Sequence, residues 1–358
     1  MRALVAWADD RSNNLGVRAL AQGSTALLRR VWPGIDVEYQ NFGRGAAPMP
    51  LGRFRAMARE RVTGRHGLRD WLTGYDLVFD TRSGDSLADI YGSRRLLRMT
   101  AFATLAAEVG VPVVLAPQTI GPFHTVRGRM LARWTLRSAS TVMVRDRESA
   151  ACAARLGRQP DVHTTDVVFA LPAPVVPRTR GVVLNVSGLL WQPSPHVDAS
   201  GYRRTVRDLL AALHGEGHSV TLLAHVLDSP LADNDVPAIH EISREYPALE
   251  VVIPADLREA RDVVASATVV VGSRMHACLN ALSVGTPAIP LAYSRKFAPL
   301  LSDLQWERTV DLRTAAHPVA DVLSHLQAPG LNGEALDVGR RAQVALARAE
   351  SALLGALS

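Results

Sequence analysis

The sequence predicts an α/β protein of two open domains, each a parallel sheet flanked by helices. Three observations carry this. Short Val- and Leu-rich runs alternate with longer helical patterns along the chain, the signature of a parallel sheet. At 358 residues the chain is long enough for two domains that each bury a core. A proline-rich segment, "LPAPVVPRTRG" from Leu171 to Gly181, interrupts the alternation near its middle and reads as a linker.

The elements follow in order. "MRALVAWADD" reaches acidic residues too soon for a signal peptide and reads as a first strand, Leu4–Ala8. Strands are next expected at Asp76–Phe79, Val111–Ala116 and Thr141–Val144, with helices at Ser93–Val109 and Thr125–Arg137 between them. Beyond the linker, Val182–Val186, Val220–Ala224, Val251–Ile253, Thr268–Val271 and Ala288–Ala292 repeat the pattern. The expected domains are residues 1–174 and 181–330, followed by a tail, 331–358. Within the tail, Glu334–Leu357 reads as one Ala/Leu/Arg helix free to pack back across both domains. In such sheets ligands meet the carboxyl ends of the strands, so the expected cleft lies between the domains and is lined by residues just after strands.

Composition narrows the function classes. Hydrophobic residues make up 47% and charged residues 21%, ordinary for a soluble globular chain. No run approaches the roughly 18–20 apolar residues that cross a bilayer, and the expected location is cytoplasmic. Cys152 and Cys278 fall in Ala-rich helical stretches and read as packed thiols of a reducing compartment. The net charge is +6, but the basic residues look scattered and aromatics are only 5%. That pattern argues against nucleic acid and for a solvated basic surface or a pocket for an anionic substrate.

The densest chemistry lies in "VVVGSRMHACLNALSVGTPAIPLAYSRKF", Val269 to Phe297. A buried strand ends at Gly272, which opens a tight turn, and Ser273 suits a helix N-cap. The helix repeats apolar residues at Met275, Leu279 and Leu282, then stops at Gly285 and Pro287. Arg274 and His276 thereby enter the first helical turn, where backbone N–H groups and the macrodipole favour an anion. The arginine adds bidentate recognition of phosphate or carboxylate, and the histidine adds a proton donor or acceptor near neutrality. Lys296 is the one lysine among 40 Lys and Arg residues. A compact ammonium suits a phosphate where a planar guanidinium does not fit; a stray residue of an arginine-biased chain is the alternative.

This stretch resembles the C-terminal motif of the polysaccharide pyruvyl transferases: a hydrophobic strand, Gly-x-Arg-Leu/Met-His, an apolar helix, Gly-x-Pro, then a Tyr and a Lys. Further pieces follow in the family's order: "APQTIGPF" from Ala116, "VRDRESA" from Val144, "TDVVF" from Thr165 and "AHV" from Ala224. The resemblance implies two Rossmann-like domains similar to glycosyltransferases of the B type, with the acceptor on the N-terminal side and the donor on the C-terminal side. It implies phosphoenolpyruvate as donor, a sugar or sugar-containing acceptor, and a pyruvate ketal formed with release of phosphate. No cofactor or metal is expected. By this carry-over Arg274 and His276 contact the donor, with Arg145 as a further anion ligand; the chemistry suits His276 for the proton transfers, and Lys296 and Ser273 are further candidates for holding the anion. A lipid-linked acceptor would bring peripheral membrane contact.

Two N-terminal motifs depart from the family's pattern. Its Gly-Asn-x-Gly-Asp-Glu turn reads "NNLGVRA", Asn13 to Ala19, with Val17 and Arg18 in place of the acids. Its Gly-Gly-Gly segment reads "DTRSGDSLADIYG", Asp80 to Gly92, and keeps only Gly84. On this acceptor side the candidates are Asn14, whose loop offers backbone N–H groups at a helix start, and Asp85 and Asp89, which orient hydroxyls or belong to a polar loop and a helix cap. His225, at a strand end, is a secondary candidate.

Other patterns carry less. "HGEGH", His214 to His218, sets Glu216 between glycines at a helix end and lacks the zinc-helix spacing. His225, Asp228, Asp233 and Asp235 suit either a divalent ion or a hydrated loop at the cleft rim. Neither a dinucleotide fingerprint nor a P-loop is present. Two rival functions remain: a nucleotide-sugar glycosyltransferase, and a catalytically silent homologue that binds an anion or a partner protein.

Overall fold

The computed structural model describes residues 1–230 and 232–356 and arranges them around two six-stranded sheets, all of whose paired strands are parallel. The first sheet holds β1 (Arg2–Ala6), β2 (Asp36–Gln40), β3 (Leu77–Asp80), β4 (Val113–Gln118), β5 (Thr141–Val144) and β6 (Val162–His163), in the order β2-β1-β3-β4-β5-β6. The second holds β7 (Arg180–Asn185), β8 (Val220–Leu223), β9 (Glu250–Val252), β10 (Ala267–Gly272), β11 (Ala288–Ala292) and β12 (Val310–Asp311), in the order β12-β11-β10-β7-β8-β9. Each sheet reverses its direction of growth once, between β1 and β3 and between β7 and β10. Loops leave such a switch point in opposite directions and open a crevice there.

The expected strands all form; most are runs of Val, Leu, Ile and Ala that a two-sided sheet buries, and β9, at an edge, is only half-buried. Three strands escaped the sequence reading for physical reasons. "DVEYQ" of β2 is a polar edge strand, and β6 and β12 are two residues long.

The chain divides into two compact units. The first comprises Met1–Arg11, Leu20–Leu171 and the residues from Ala342 onward; the second comprises Ser12–Ala19 and Pro172–Arg341. The division at Leu171 coincides with the start of the proline-rich segment. Ser12–Ala19, by contrast, was expected in the first domain. The final helix, Leu331–Ala356, is one element whose residues fall into both units. Within the first unit its later turns accept the Thr164 hydroxyl at the Ala345 carbonyl and send the Gln343 amide to the Phe169 carbonyl. The expected end of this helix at Leu357 lies outside the described residues. Among the described residues no helix is long and apolar enough to cross a membrane.

Both cysteines are free thiols. Cys278 is packed beneath β10, donates to the Gly272 carbonyl at 3.3 Å, and has its pKa pushed up by burial.

The turn after β7 shows how tightly the second sheet's strand ends are packed. A Cβ added to Gly188 would sit 1.8 Å from the Asn234 carbonyl oxygen, so only glycine allows this approach. Gly188→Ala should therefore destabilise the fold by roughly 2–3 kcal/mol, read as a lowered denaturant midpoint; an unchanged midpoint would refute the close approach.

Candidate active site

The second sheet's switch point is organised by Asp235, a fully buried carboxylate. Its Oδ1 accepts from the backbone N–H of Gly188 at 2.8 Å, and from Arg274 Nε at 3.1 Å and Nη2 at 2.7 Å. Its Oδ2 accepts from the backbone N–H groups of His225 at 3.1 Å and Val226 at 2.9 Å. The loops after β7, β8 and β10 thus converge on one carboxylate. Burial opposes the charge of Arg274, but Asp235 and then Tyr293 outweigh it and hold its pKa above the ordinary value.

Arg274 itself is the N-cap of the helix Met275–Ser283, with extended backbone, and its N–H donates to Asn185 Oδ1 at 2.9 Å. Nη2 also donates to the Asp233 carbonyl. The clamp uses the Nε and Nη2 edge of the guanidinium and leaves the Nη1 end for other partners. Ser273, expected as the N-cap and an anion ligand, is instead buried with its hydroxyl 2.7 Å from that of Tyr202. It packs the turn from below, and the anion-ligand role for it is withdrawn.

His276, half-buried, occupies the first helical turn beside Arg274. Its ring lies against the backbone of Gly16, where an added Cβ would come 2.9 Å from Nδ1. The loop that brings Gly16 here is fastened to the end of β8. Asn14 and Val226 form an antiparallel bridge, Leu15 N–H donates to the His225 carbonyl at 3.0 Å, and Leu227 N–H donates to the Asn13 carbonyl at 2.7 Å. Asn14 Oδ1 caps the turn by accepting the Gly16 N–H at 2.9 Å. Asn14 therefore stands in the second unit beside His276, and its expected place on the acceptor side is corrected.

His225 lies beneath this group and is 2% exposed. Its tautomer follows from its neighbours. Arg261 can only donate, and it donates to Asn280 Oδ1 at 2.8 Å, so the Asn280 amide nitrogen faces His225 Nε2 at 3.3 Å. Nε2 accepts, and the proton of the neutral ring is on Nδ1. Burial first, then the nearby His276 and Arg274, hold its pKa well below the usual histidine range. A buried neutral imidazole does not reach an acceptor, so His225 is a positioning residue, not an acceptor ligand. Asp228 receives the Asn234 amide at 2.8 Å, and the loop read as hydrated is pinned by side chains.

The loop after β11 adds a rim. Tyr293 is buried, and its ring meets His196 edge-on with centroids 5.2 Å apart. Burial and then the charge of Lys296 lower the pKa of His196. Tyr293 thus touches His196 by its ring and acts on Arg274 through charge, as Lys296 acts on His196. A cleft of about 630 Å³ in the same unit is lined by Asp198, Arg204, Thr205, Asp208 and His317 and by none of these four. The site is accordingly placed by its chemistry, not by volume.

In the first unit the expectation for Arg145 changes, and Asp89 takes the helix-cap alternative. Arg145 is 1% exposed and paired with Asp166 at 2.6 Å, with Nε on Thr119 at 3.0 Å; it is a sealed structural pair, and its role as an anion ligand is withdrawn. Asp89 caps the helix Val126–Ser138, accepting from the N–H groups of His124 and Thr125 and from the Thr125 hydroxyl. Partial burial works against its charge, yet these bonds prevail and keep its pKa below the usual carboxylate range. Asp85 accepts the Tyr91 hydroxyl at 2.6 Å. It follows a turn in which Arg82 and Ser83 have φ of 46° and 50°, and Trp7, across the switch point, has φ of 65°. The Ser83 hydroxyl bridges the crevice to the Trp7 carbonyl at 2.9 Å. Left-handed backbone at non-glycine residues costs about 1–3 kcal/mol each and is typical of ligand-binding turns.

Comparison with known proteins places this geometry. The family model for polysaccharide pyruvyl transferase matches residues 14–295, most of the chain. The chain belongs to the polysaccharide pyruvyl transferase family. No curated protein sequence matches significantly. Among solved structures, the UDP-GlcNAc 2-epimerase of Neisseria meningitidis aligns with a TM-score of 0.60 at 10% identity, covering 100% of this chain and 99% of that one. A putative UDP-N-acetylglucosamine 2-epimerase of Listeria monocytogenes gives 0.60 at 9%, covering 98% and 95%. A glycosyltransferase of Streptomyces nogalater gives 0.53 at 15%, covering 99% of both chains. At such identities these neighbours show the fold alone, the two-domain Rossmann-like architecture of B-type glycosyltransferases.

For this pyruvyl transferase family member the sequence reading missed Asp235 as the organiser, along with Asn185, Asn280 and Gly188. Asp235 stood inside a noted acidic cluster, but its partner Arg274 is 39 residues away and nothing local joins them. The buried His225 yields a pH test. Its pKa is depressed on folding, so its contribution is present above the unfolded value of about 6.5 and is lost as pH falls below it. His225→Gln should remove that part of the acid destabilisation, up to about 1.4 kcal/mol per pH unit. Denaturation midpoints of both proteins between neutrality and mild acid check it, and parallel pH curves would refute it.

Proposed function

We propose that this protein transfers the pyruvyl unit of phosphoenolpyruvate to two hydroxyls of a sugar or sugar-containing acceptor, forming a cyclic ketal and releasing phosphate. The observation that supports the reading is the pairing of Arg274 and His276 at one helix N-terminus on the second sheet's switch point, inside the family-matched segment. On this reading the Nη1 end of Arg274 and the Lys296 ammonium hold the donor's phosphate and carboxylate.

His276 serves the proton transfers. Protonation of the donor's methylene carbon makes a methyl group and leaves the adjacent carbon electrophilic. One acceptor hydroxyl adds there, phosphate departs from the same carbon, and the second hydroxyl closes the ring. The two hydroxyl protons balance the new methyl hydrogen and the released phosphate. Asp85, in the strained turn of the first unit, is assigned to the acceptor. The reaction is assigned to the cytoplasm, which supplies phosphoenolpyruvate. A nucleotide-sugar reaction is the rival, since an arginine at a helix N-terminus suits a diphosphate equally and the neisserial epimerase was solved with UDP-GlcNAc bound.

Thermal shift with each donor separates the two, because a ligand of the native state raises the melting temperature. Phosphoenolpyruvate should raise it and should release phosphate only when a sugar acceptor is present. Stabilisation by UDP-sugars alone would overturn the reading. With the donor established, His276→Asn should lower turnover by roughly 10²–10⁴-fold while donor affinity is kept. Normal turnover would make the histidine structural.

Lys296 supplies a second, independent test. If it holds phosphate as a point charge, Lys296→Arg should impair turnover nearly as much as Lys296→Ala, because the flat guanidinium keeps the charge but not the shape. Steady-state kinetics on the two variants decides, and full activity in Lys296→Arg would reject the role.

A further inference from the structure

The chain's positive charge is not scattered, as its sequence suggested. Three helices of the first unit, Phe54–Thr63, Ser93–Glu108 and Val126–Ser138, carry ten arginines against two glutamates, a surplus of eight where the whole chain has a net charge of +6. Of the two glutamates only Glu108 offsets exposed charge, cancelling one arginine. Glu60 is buried and accepts the N–H groups of His66 and Leu68, while Glu108 is paired with Arg61.

The same helices leave an apolar cleft of about 550 Å³ open between them, lined by Phe54, Met57, Val62, Leu97, Met130 and Trp134 among others. Val62 is 85% exposed, Met130 62% and Trp134 57%. The Trp134 indole N–H is already used, donating to the Thr104 hydroxyl at 2.9 Å, so the part of the ring offered outward is hydrocarbon. Arg61, paired with Glu108, lines the cleft, and an open apolar patch on helices this rich in arginine marks a binding surface.

We propose that this face docks the protein on an anionic lipid bilayer, with the arginines against headgroup phosphates and the cleft seating lipid hydrocarbon. Basic residues around an apolar strip with an interfacial tryptophan are what such a surface requires. A second copy of the chain would set two cationic faces against each other. Nucleic acid would satisfy the arginines but would lay phosphates and sugars over the hydrocarbon cleft. The inference does not depend on the reaction proposed above, because its readout is binding.

Flotation of the full chain with vesicles tests it. The protein should float with phosphatidylcholine vesicles in which roughly one lipid in three is phosphatidylglycerol, and not with phosphatidylcholine alone. Two double variants at exposed positions, Val62→Asp with Met130→Asp and Arg133→Glu with Arg137→Glu, should each weaken partitioning by about tenfold or more while melting like the parent. Absence of flotation overturns the proposal. So does flotation indifferent to the Val62→Asp and Met130→Asp pair, which would be charge adsorption only. Displacement of vesicles by a tighter-binding oligonucleotide, or a solution dimer that the same pair abolishes, overturns it as well.

Discussion

The buried carboxylate of Asp235 holds the second unit's strand ends in one arrangement. A carboxylate taken out of water must be fully hydrogen-bonded, and here the donors come from the turns after β7, β8 and β10. The requirement works in both directions. Arg274 can be buried because Asp235 is there, and Asp235 can be buried because three backbone N–H groups and a guanidinium meet it. Removing either partner would leave the other charge stranded, at a cost of about 3–5 kcal/mol. Arg274 is thus held in one position, the preorganised state in which an electrostatic contact is worth most.

The first unit uses the same device to the opposite end. Arg82 pairs with Asp80 and Arg145 with Asp166, all four side chains sealed from solvent. Burial raises the pKa of Asp80, and the adjacent Arg82 only partly offsets this. These pairs brace the turns after β3 and β5. In sequence the three arginines look alike, each in a turn just after a buried strand. What separates Arg274 is that its clamp engages one edge of the guanidinium and leaves 8% of the residue exposed, whereas Arg145 is closed over.

That distinction marks the limit of what was legible. Fold class, both sheets and the Arg274–His276 turn could be read because apolar periodicity and strand-end position are local properties. The partners could not, since Asp166 lies 21 residues from Arg145 and Asp235 lies 39 from Arg274. Asp89 was legible only as an alternative, because an aspartate before a helix looks the same whether it caps that helix or holds a ligand. The basic face of the first unit was invisible for a related reason. Its arginines are separated along the chain and meet only when three helices pack together.

The loop Ser12–Ala19 shows the most consequential displacement. Its departures from the family pattern, Val17 and Arg18, were read on the acceptor side while the loop was assigned to the first domain. The loop belongs instead to the second unit and lies against His276. Arg18 fits there by binding carbonyls, Ser12 at 2.6 Å and Ala255 at 3.3 Å, so the departure is absorbed without loosening the loop. Its effect is electrostatic: where the family places two acids, this chain has one neutral and one cationic side chain near the proposed donor site. A donor carrying both a phosphate and a carboxylate would meet a more positive field there. On the proposed reading the altered motif therefore bears on how the donor is held and on the charge around His276.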